Sequence, residues 1–209
     1  MQSPPTVYLI NDNEAFNVSL VSLISSIGLE TAIIASGGEF LQNLDSRRSG
    51  CVVIDLCKPH LDGMRVLDEL ERRLLPPPVI VLTEQADVRS VVRAAHHGVI
   101  AFLLKQHASR TEILDAIQTA LKHDSQQRSI HARREELRVR FAALTTHERQ
   151  VLDLLLSGDE LLVIAEKLEV SRRTVELRRA QVMKKLKTTT FPALVALVTE
   201  FDNIPSALK

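Results

Sequence analysis

Asp12, Asp55, Thr83 and Lys105 each stand at or just past the end of a short apolar run: Val7–Ile10, Cys51–Ile54, Val79–Leu82 and Ile100–Leu104. If these runs are parallel strands, the four side chains meet at one edge of a sheet. Two carboxylates with water suit a hard cation such as Mg²⁺. An ammonium and a hydroxyl beside them suit an added anionic group. The chemistry such a set supports is phosphoryl transfer to Asp55, with the cation neutralising the developing charge. Polar residues commonly just terminate buried strands, and any one of the four reads that way alone. Four at matching strand ends argue for a site.

A second constellation lies near the other end. Residues 171–187 hold seven basic residues (Arg172, Arg173, Arg178, Arg179, Lys184, Lys185, Lys187) and one acid, Glu176, in a chain of net charge +0. Concentrated positive charge on a neutral protein suggests a local polyanion contact; the bland alternative is a solvated helix face. Glu160–Leu168, a short turn and Ser171–Lys187 read as helix-turn-helix. Ile164, Ala165, Leu168 and Val170 would pack against Val175 and Val182 or Met183, leaving the cations outward. The major groove of DNA accepts one helix, and phosphates attract the flanking charges. An ordinary helical hairpin with a charged face would also fit this spacing.

Alternating elements must position the acidic set. Five apolar runs, including Thr31–Ala35, lack polar alternation and read as strands buried on both faces. Helical patterns separate them: Phe16, Leu20, Leu23, Ile24 and Ile27 ending at Gly28; Phe40, Leu41 and Leu44; Met64, Leu67, Leu70 and Leu74; Val88, Val91, Val92 and Ala95; Ile113, Leu114, Ile117 and Leu121. The fold expected for 1–122 is α/β, a doubly wound five-stranded parallel sheet, with ligands at the carboxyl ends of the strands. Residues 123–143 are polar, without Pro or Gly, and predict a helical linker. Residues 144–209 predict an all-α domain. Thr145 and Glu148 have capping-box spacing, Gly158 stops that helix, Ser171 caps the basic helix, and Thr190 and Pro192 open the last one. Leu194, Leu197 and Val198 make an apolar stripe there, and 144–209 reads as self-contained.

Composition narrows the classes. Aromatics are 3% with no Trp, and the two cysteines cannot form a disulfide framework. No apolar run approaches a membrane span, and Met1-Gln-Ser-Pro-Pro5 lacks the pattern of a signal peptide. A cytoplasmic protein without membrane contact is expected. Cys51 reads as a buried small hydrophobe, and His96 and His97 read as surface residues.

The first ~122 residues resemble the receiver domain of two-component response regulators, a flavodoxin-like fold. The resemblance is carried by Val7-Tyr-Leu-Ile-Asn-Asp12, Val53-Ile-Asp-Leu-Cys-Lys-Pro59 with Asp62-Gly63, Val81-Leu-Thr83 and Phe102-Leu-Leu-Lys105. It implies that Asp55 is the phospho-acceptor and that Lys105 contacts the phosphoryl oxygens. It makes Thr83 and Phe102 the switch pair, and Asp12, Asp55 and the Cys57 backbone carbonyl the Mg²⁺ ligands. Two positions depart from the family. Asn11 replaces an acid, which weakens the cation site, and Gln106 replaces the usual Pro after the Lys.

Leu144-Thr145, Glu148, Val151-Leu152, Gly158, Ile164-Ala165, Leu168, Ser171, Thr174-Val175, Lys185-Leu186 and Leu194-Val195 resemble the LuxR-type effector domain. Together the two segments are similar to response regulators of the NarL/FixJ class. By family position Glu176, Leu177 and Ala180 would face base edges, Arg178 and Arg179 guanine or phosphate, and Thr174, Lys184 and Lys185 phosphates. Leu161, Leu162 and Val163 replace polar residues usual there and could instead touch a protein.

The implied function is a DNA-binding transcriptional regulator controlled through Asp55. Its partners would be double-stranded DNA, a sensor histidine kinase or other phosphodonor, and a second copy of the chain. Pairing could use the fourth and fifth helices of the receiver or the Leu194 stripe, much of which must also cover the domain core. The catalysis expected is at most self-phosphorylation and self-dephosphorylation. Two alternatives remain: a regulator controlled by a partner protein, and a phosphotransfer enzyme. The second is weakened by Cys57, which stands where such enzymes commonly carry a second Asp.

Overall fold

The computed structural model describes residues 4–45, 48–56, 63–85 and 88–203. The chain divides into two compact units, residues 1–128 and 129–209.

In the first unit, strands β1 (Thr6–Ile10), β2 (Glu30–Ile34), β3 (Gly50–Ile54), β4 (Val79–Thr83) and β5 (Ala101–Leu104) form one parallel sheet in the order β2-β1-β3-β4-β5. Helices α1 (Glu14–Ser25), α2 (Gly37–Asn43), α3 (Gly63–Glu71) and α4 (Val88–His96) connect them, and α5 starts at Arg110. Alternate strand residues serve opposite faces. Val7, Leu9, Cys51, Val53, Ile80 and Leu82 pack on Leu20 and Ile24 of α1 and Ile113 and Ile117 of α5. Ile10, Val52, Ile54, Val79 and Val81 pack on Phe40, Val66, Leu67, Leu70 and Ala94.

The sheet is the expected one, with two differences in burial. Strands β3 and β4 are buried throughout, but β2 is an edge strand that exposes Glu30 and Ile33. On α4 the valines point outward: Val88 is 81%, Val91 36% and Val92 49% exposed, and Ala94 is the buried residue. The expected inward face of that helix is therefore its outer face. His97 is not simply a surface residue either. Its ring nitrogens lie 3.2 Å from Asp68 Oδ1 and 2.9 Å from Glu71 Oε2, tying the end of α4 to α3.

Gly50 is set by close approach. A Cβ there would fall 2.1 Å from the Thr6 carbonyl oxygen, where β3 pairs with β1. Asp124 on α5 anchors the same strand end. Its buried carboxylate accepts from Ser49 Oγ at 2.7 Å, Gly50 N at 3.1 Å and Arg128 Nε at 2.8 Å. Burial, with Asp124 nearby, pushes the Cys51 thiol up to about 12, so Cys51 is an inert core group.

Helix α5 runs unbroken from Arg110 to Ala142. Its last turns belong to the second unit, with α6 (Thr146–Leu156), α7 (Leu161–Lys167), α8 (Arg172–Leu186) and α9 (Phe191–Asp202). Thr145 and Glu148 form the expected capping box. Ser171 and Thr190 cap α8 and α9 by accepting from the third backbone N–H beyond. One core joins Leu137 and Phe141 of α5 to Leu152, Val182, Leu186, Leu194 and Leu197. A second joins Val151 and Leu155 to Ile164, Ala165 and Val175. Phe141 stacks on Phe201 at 4.1 Å, and Arg133 makes a two-pronged pair with Glu200 at 2.9 and 3.0 Å.

These contacts correct two expectations. The core of the second unit does not stop at residue 144, because Leu137 and Phe141 of α5 are part of it. The stripe of Leu194, Leu197 and Val198 is not a free pairing surface, because it lies against that core.

Candidate functional site

Parallel register brings the acidic set together. Ile10 lies opposite Ile54, so Asn11 and Asp55 leave adjacent strands side by side, and Asp55 N donates to Ile10 O at 3.3 Å. This is where the strand order reverses direction, the position at which such sheets bind ligands. Asp55 is 1% exposed. Thr83 Oγ1 donates to its Oδ1 at 2.7 Å and lies 3.1 Å from Gln85 O. Lys105 Nζ donates to its Oδ2 at 3.0 Å. The same ammonium is 3.2 Å from Asn11 Oδ1, 3.9 Å from Glu84 Oε1 and 4.7 Å from the centre of the Phe16 ring. A buried carboxylate is thus held at both oxygens by donors from two other strand ends.

Asp12 follows Asn11 and is exposed, while Asn11 is buried. Phe102 is half-buried on β5 opposite Val81, on the same sheet face as Thr83 and two register positions before Leu104, the partner of Thr83. Gln106 is exposed, and no peptide among the described residues is cis. Cys57 and Asp62 lie outside the described residues.

On α8, Val175, Val182 and Leu186 are buried and Glu176, Leu177, Ala180 and Lys184 are exposed, with Arg178 and Arg179 half-buried. Leu177 is 62% exposed. The exposed face already carries one pair, Arg172 Nε to Glu176 Oε1 at 2.9 Å. The Thr174 hydroxyl lies 2.8 Å from the Ser171 cap. Lys185 turns inward. Its Nζ donates to Glu148 Oε2 at 2.6 Å and to Ala143 O at 3.1 Å. Burial pushes the Glu148 carboxyl up, but the Lys185 ammonium and the Thr145 donors outweigh it and hold that carboxyl below its ordinary value. On α7, Leu161 packs inward and Leu162 and Val163 are exposed.

Two family profiles match the chain. That of the response regulator receiver domain matches residues 7–118, and that of the bacterial regulatory proteins of the luxR family matches residues 142–198. The chain belongs to the response regulators with a LuxR-type domain. It is 32% identical to the response regulator protein TodT of Pseudomonas putida over 93% of this chain and 85% of that one. It is 36% identical to the transcriptional regulatory protein FixJ of Azorhizobium caulinodans over 91% of this chain and 90% of that one. Among solved structures, response regulator StyR matches with a TM-score of 0.89 at 29% identity, covering 95% of this chain and 100% of that one.

The protein is a phosphorylation-controlled transcriptional response regulator. Its receiver domain implies a kinase as phosphodonor and its LuxR-type domain implies DNA as partner. Among the described residues no helix is long and apolar enough to cross a membrane. Receiver domains generally use Mg²⁺. Among the described residues, the oxygens gathered at these strand ends are the Asp12 and Asp55 carboxylates and the Asn11 amide, a donor chemistry that suits a hard cation.

Four groups near Asp55 and its neighbours were not singled out as site groups in the sequence: Phe16 and Asn17 on α1, and Glu84 and the Gln85 carbonyl just past β4. Asn17 left a trace in the sequence. It is a polar residue on the inward face of α1, in line with Leu20 and Ile24.

Proposed function

We propose that Asp55 is the phosphoryl acceptor of this response regulator. The observation that carries the reading is the Asp55 carboxylate fixed between Thr83 at 2.7 Å and Lys105 at 3.0 Å. An Asp55 oxygen forms a bond to the phosphorus of a phosphorylated kinase histidine or a small phosphodonor. The bond from phosphorus to the leaving group breaks, and the leaving group takes the electron pair. Mg²⁺, when bound, neutralises charge on the phosphoryl oxygens. Asp12, Asp55 and the Asn11 amide oxygen would hold it. Converting the Asp55 carboxylate to an acyl phosphate removes the carboxylate charge that now holds Lys105, freeing the ammonium for a phosphoryl oxygen. Thr83 turns to the new group in the same way, and Phe102 on the same sheet face is its partner in the switch. The output is altered DNA binding, not turnover of a substrate.

The exposed face of α8 is the proposed reading surface. Glu176 can accept from a cytosine amino group, and Leu177 and Ala180 can meet thymine methyls. Arg178, Arg179, Lys184 and the Thr174 hydroxyl serve guanine or phosphate. Lys185 is not a phosphate contact in this reading, since it is committed to Glu148. Arg173, which is exposed, takes that place. The active form is a cytoplasmic homodimer on a two-fold site, because one recognition helix reads few base pairs. The outward valines of α4 supply the pairing surface.

Incubating the wild type and Asp55→Asn with a small phosphodonor and Mg²⁺, then measuring intact mass, tests the acceptor. One phosphoryl group on the wild type and none on the variant is expected. Equal labelling of both removes Asp55 from the role. Labelling of neither favours control by a partner protein.

A further inference from the structure

Asn17 makes two hydrogen bonds to one residue. Its Nδ2 donates to Asn11 O at 3.0 Å, and its Oδ1 accepts from Asn11 Nδ2 at 2.9 Å. Both asparagines are buried. A primary amide has one donor end and one acceptor end. With the donor end of Asn11 held by Asn17, the acceptor end faces Lys105 Nζ at 3.2 Å, and that ammonium also holds Asp55. Turning the Asn11 amide over would set its NH₂ against an ammonium. It would also set its oxygen against the Asn17 oxygen. Both contacts are repulsive, so the Asn17 carbonyl and the Lys105 ammonium together fix which way Asn11 points.

We propose that Asn17 is a positioning residue that keeps the Asn11 amide oxygen aimed at the Asp55 site, where it serves as a neutral ligand to a cation. This rests on the reading of Asp55 as a cation-assisted phosphoryl acceptor. A carboxylate at position 11 would need no such guide, because both its oxygens accept. An amide needs one, because half of its orientations present hydrogens to positive charge. Asn17 therefore makes a neutral residue workable where the family carries an acid.

The competing account is that two buried amides merely satisfy each other. The accounts differ in a double-mutant cycle. Mg²⁺ affinity is measured by calorimetry on the full-length wild type, Asn17→Leu, Asn11→Asp and the double variant. The lost Asn17 bond to the Asn11 backbone oxygen is common to both backgrounds and cancels. Orientation matters only with Asn at 11. Asn17→Leu is expected to weaken Mg²⁺ binding roughly tenfold in the Asn11 background, the scale of one hydrogen bond to a charged group, and less than about twofold in the Asn11→Asp background. Equal losses in both backgrounds, or no loss in either, overturn the proposal.

A metal-free measurement on wild type and the smaller variant Asn17→Ala reads orientation directly. Nuclear Overhauser contacts from the Asn11 side-chain amide protons should reach residue 17 and not Lys105 in the wild type. In Asn17→Ala only the Lys105 ammonium still selects the orientation, so a fraction of the amide turns over and contacts to Lys105 should appear beside the original ones. An unchanged pattern overturns the proposal. Wild-type protein that binds no Mg²⁺ at millimolar concentration counts against the cation-assisted reading of Asp55, and the amide-proton contacts then decide the role of Asn17.

Discussion

Position 11 shows how one atom exchange alters a site. Asn11→Asp would add a third carboxylate beside Asp12 and Asp55, with Lys105 the ammonium in contact with both Asp55 and residue 11. More ligand charge strengthens cation binding. The same charge, with no cation present, faces its like in a buried setting. The variant is expected to bind Mg²⁺ roughly tenfold more tightly and to melt at lower temperature without the ion, a gap that Mg²⁺ closes by mass action. Calorimetry and thermal melts with and without Mg²⁺ check both signs. Strand ends made Asp55, Thr83 and Lys105 legible in the sequence, because a parallel sheet gathers its carboxyl ends. Phe16 was hidden and Asn17 left only its polarity on an apolar helix face, because both reach the site sideways from α1 and no strand rule places them. The inward turn of Lys185 was hidden for a similar reason. Its charge reads as part of the basic segment until α6 is packed beside it.

Local codes served better for whole elements. The Thr145–Glu148 box is written within four residues, and the structure forms it with bonds of 2.7 and 3.3 Å. Lys185 adds a tertiary tie to that cap. Because Glu148 is held below its ordinary value of 4.5, it contributes stability above the unfolded value that is lost as pH falls through the folded one. Thermal melts of residues 129–209 should fall from about pH 5 downward, with a shallower fall in Glu148→Gln. At neutral pH that variant keeps the box, because Gln also caps from this position, but loses the charge that holds Lys185, at a cost of about 1 kcal/mol. A slope unchanged by the substitution would separate Glu148 from acid sensitivity. Helix α4 teaches the reverse lesson. The spacing of Val88, Val91, Val92 and Ala95 marks an apolar face correctly but cannot say what covers it. Small Ala94 is the residue that meets the sheet, and the valines are left outside. If that face pairs two receivers, Val92→Asp should remain folded and accept a phosphoryl group, yet sediment as a monomer with phosphodonor. Dimers of Val92→Asp equal to the wild type would direct attention to another surface.

At the scale of the whole molecule, composition and element order revealed an α/β part followed by an all-α part. The point where packing changes hands was not legible. Helix α5 carries an uninterrupted helical pattern through it, and Leu137 and Phe141 look like isolated apolar residues in a polar stretch. Only the packed structure shows them closing the core over α8 and α9. Truncation tests this. Residues 129–209 should fold and bind DNA with strong salt dependence, whereas 144–209 should melt far lower or not fold. Leu137→Ala within the longer fragment should cost about 3 kcal/mol. Equal stability of the two fragments would make the end of α5 dispensable. The same packing sets where one sensing module can be exchanged for another. A hybrid gene joined at residue 143 would look correct in an alignment, yet deliver an effector with an open core. A joint before residue 129 would hand over the effector with its own last turns of α5 attached. Functional recombinants, in the laboratory or in lineages that shuffle these parts, should therefore have their crossovers inside a helix and not in the loop that follows it.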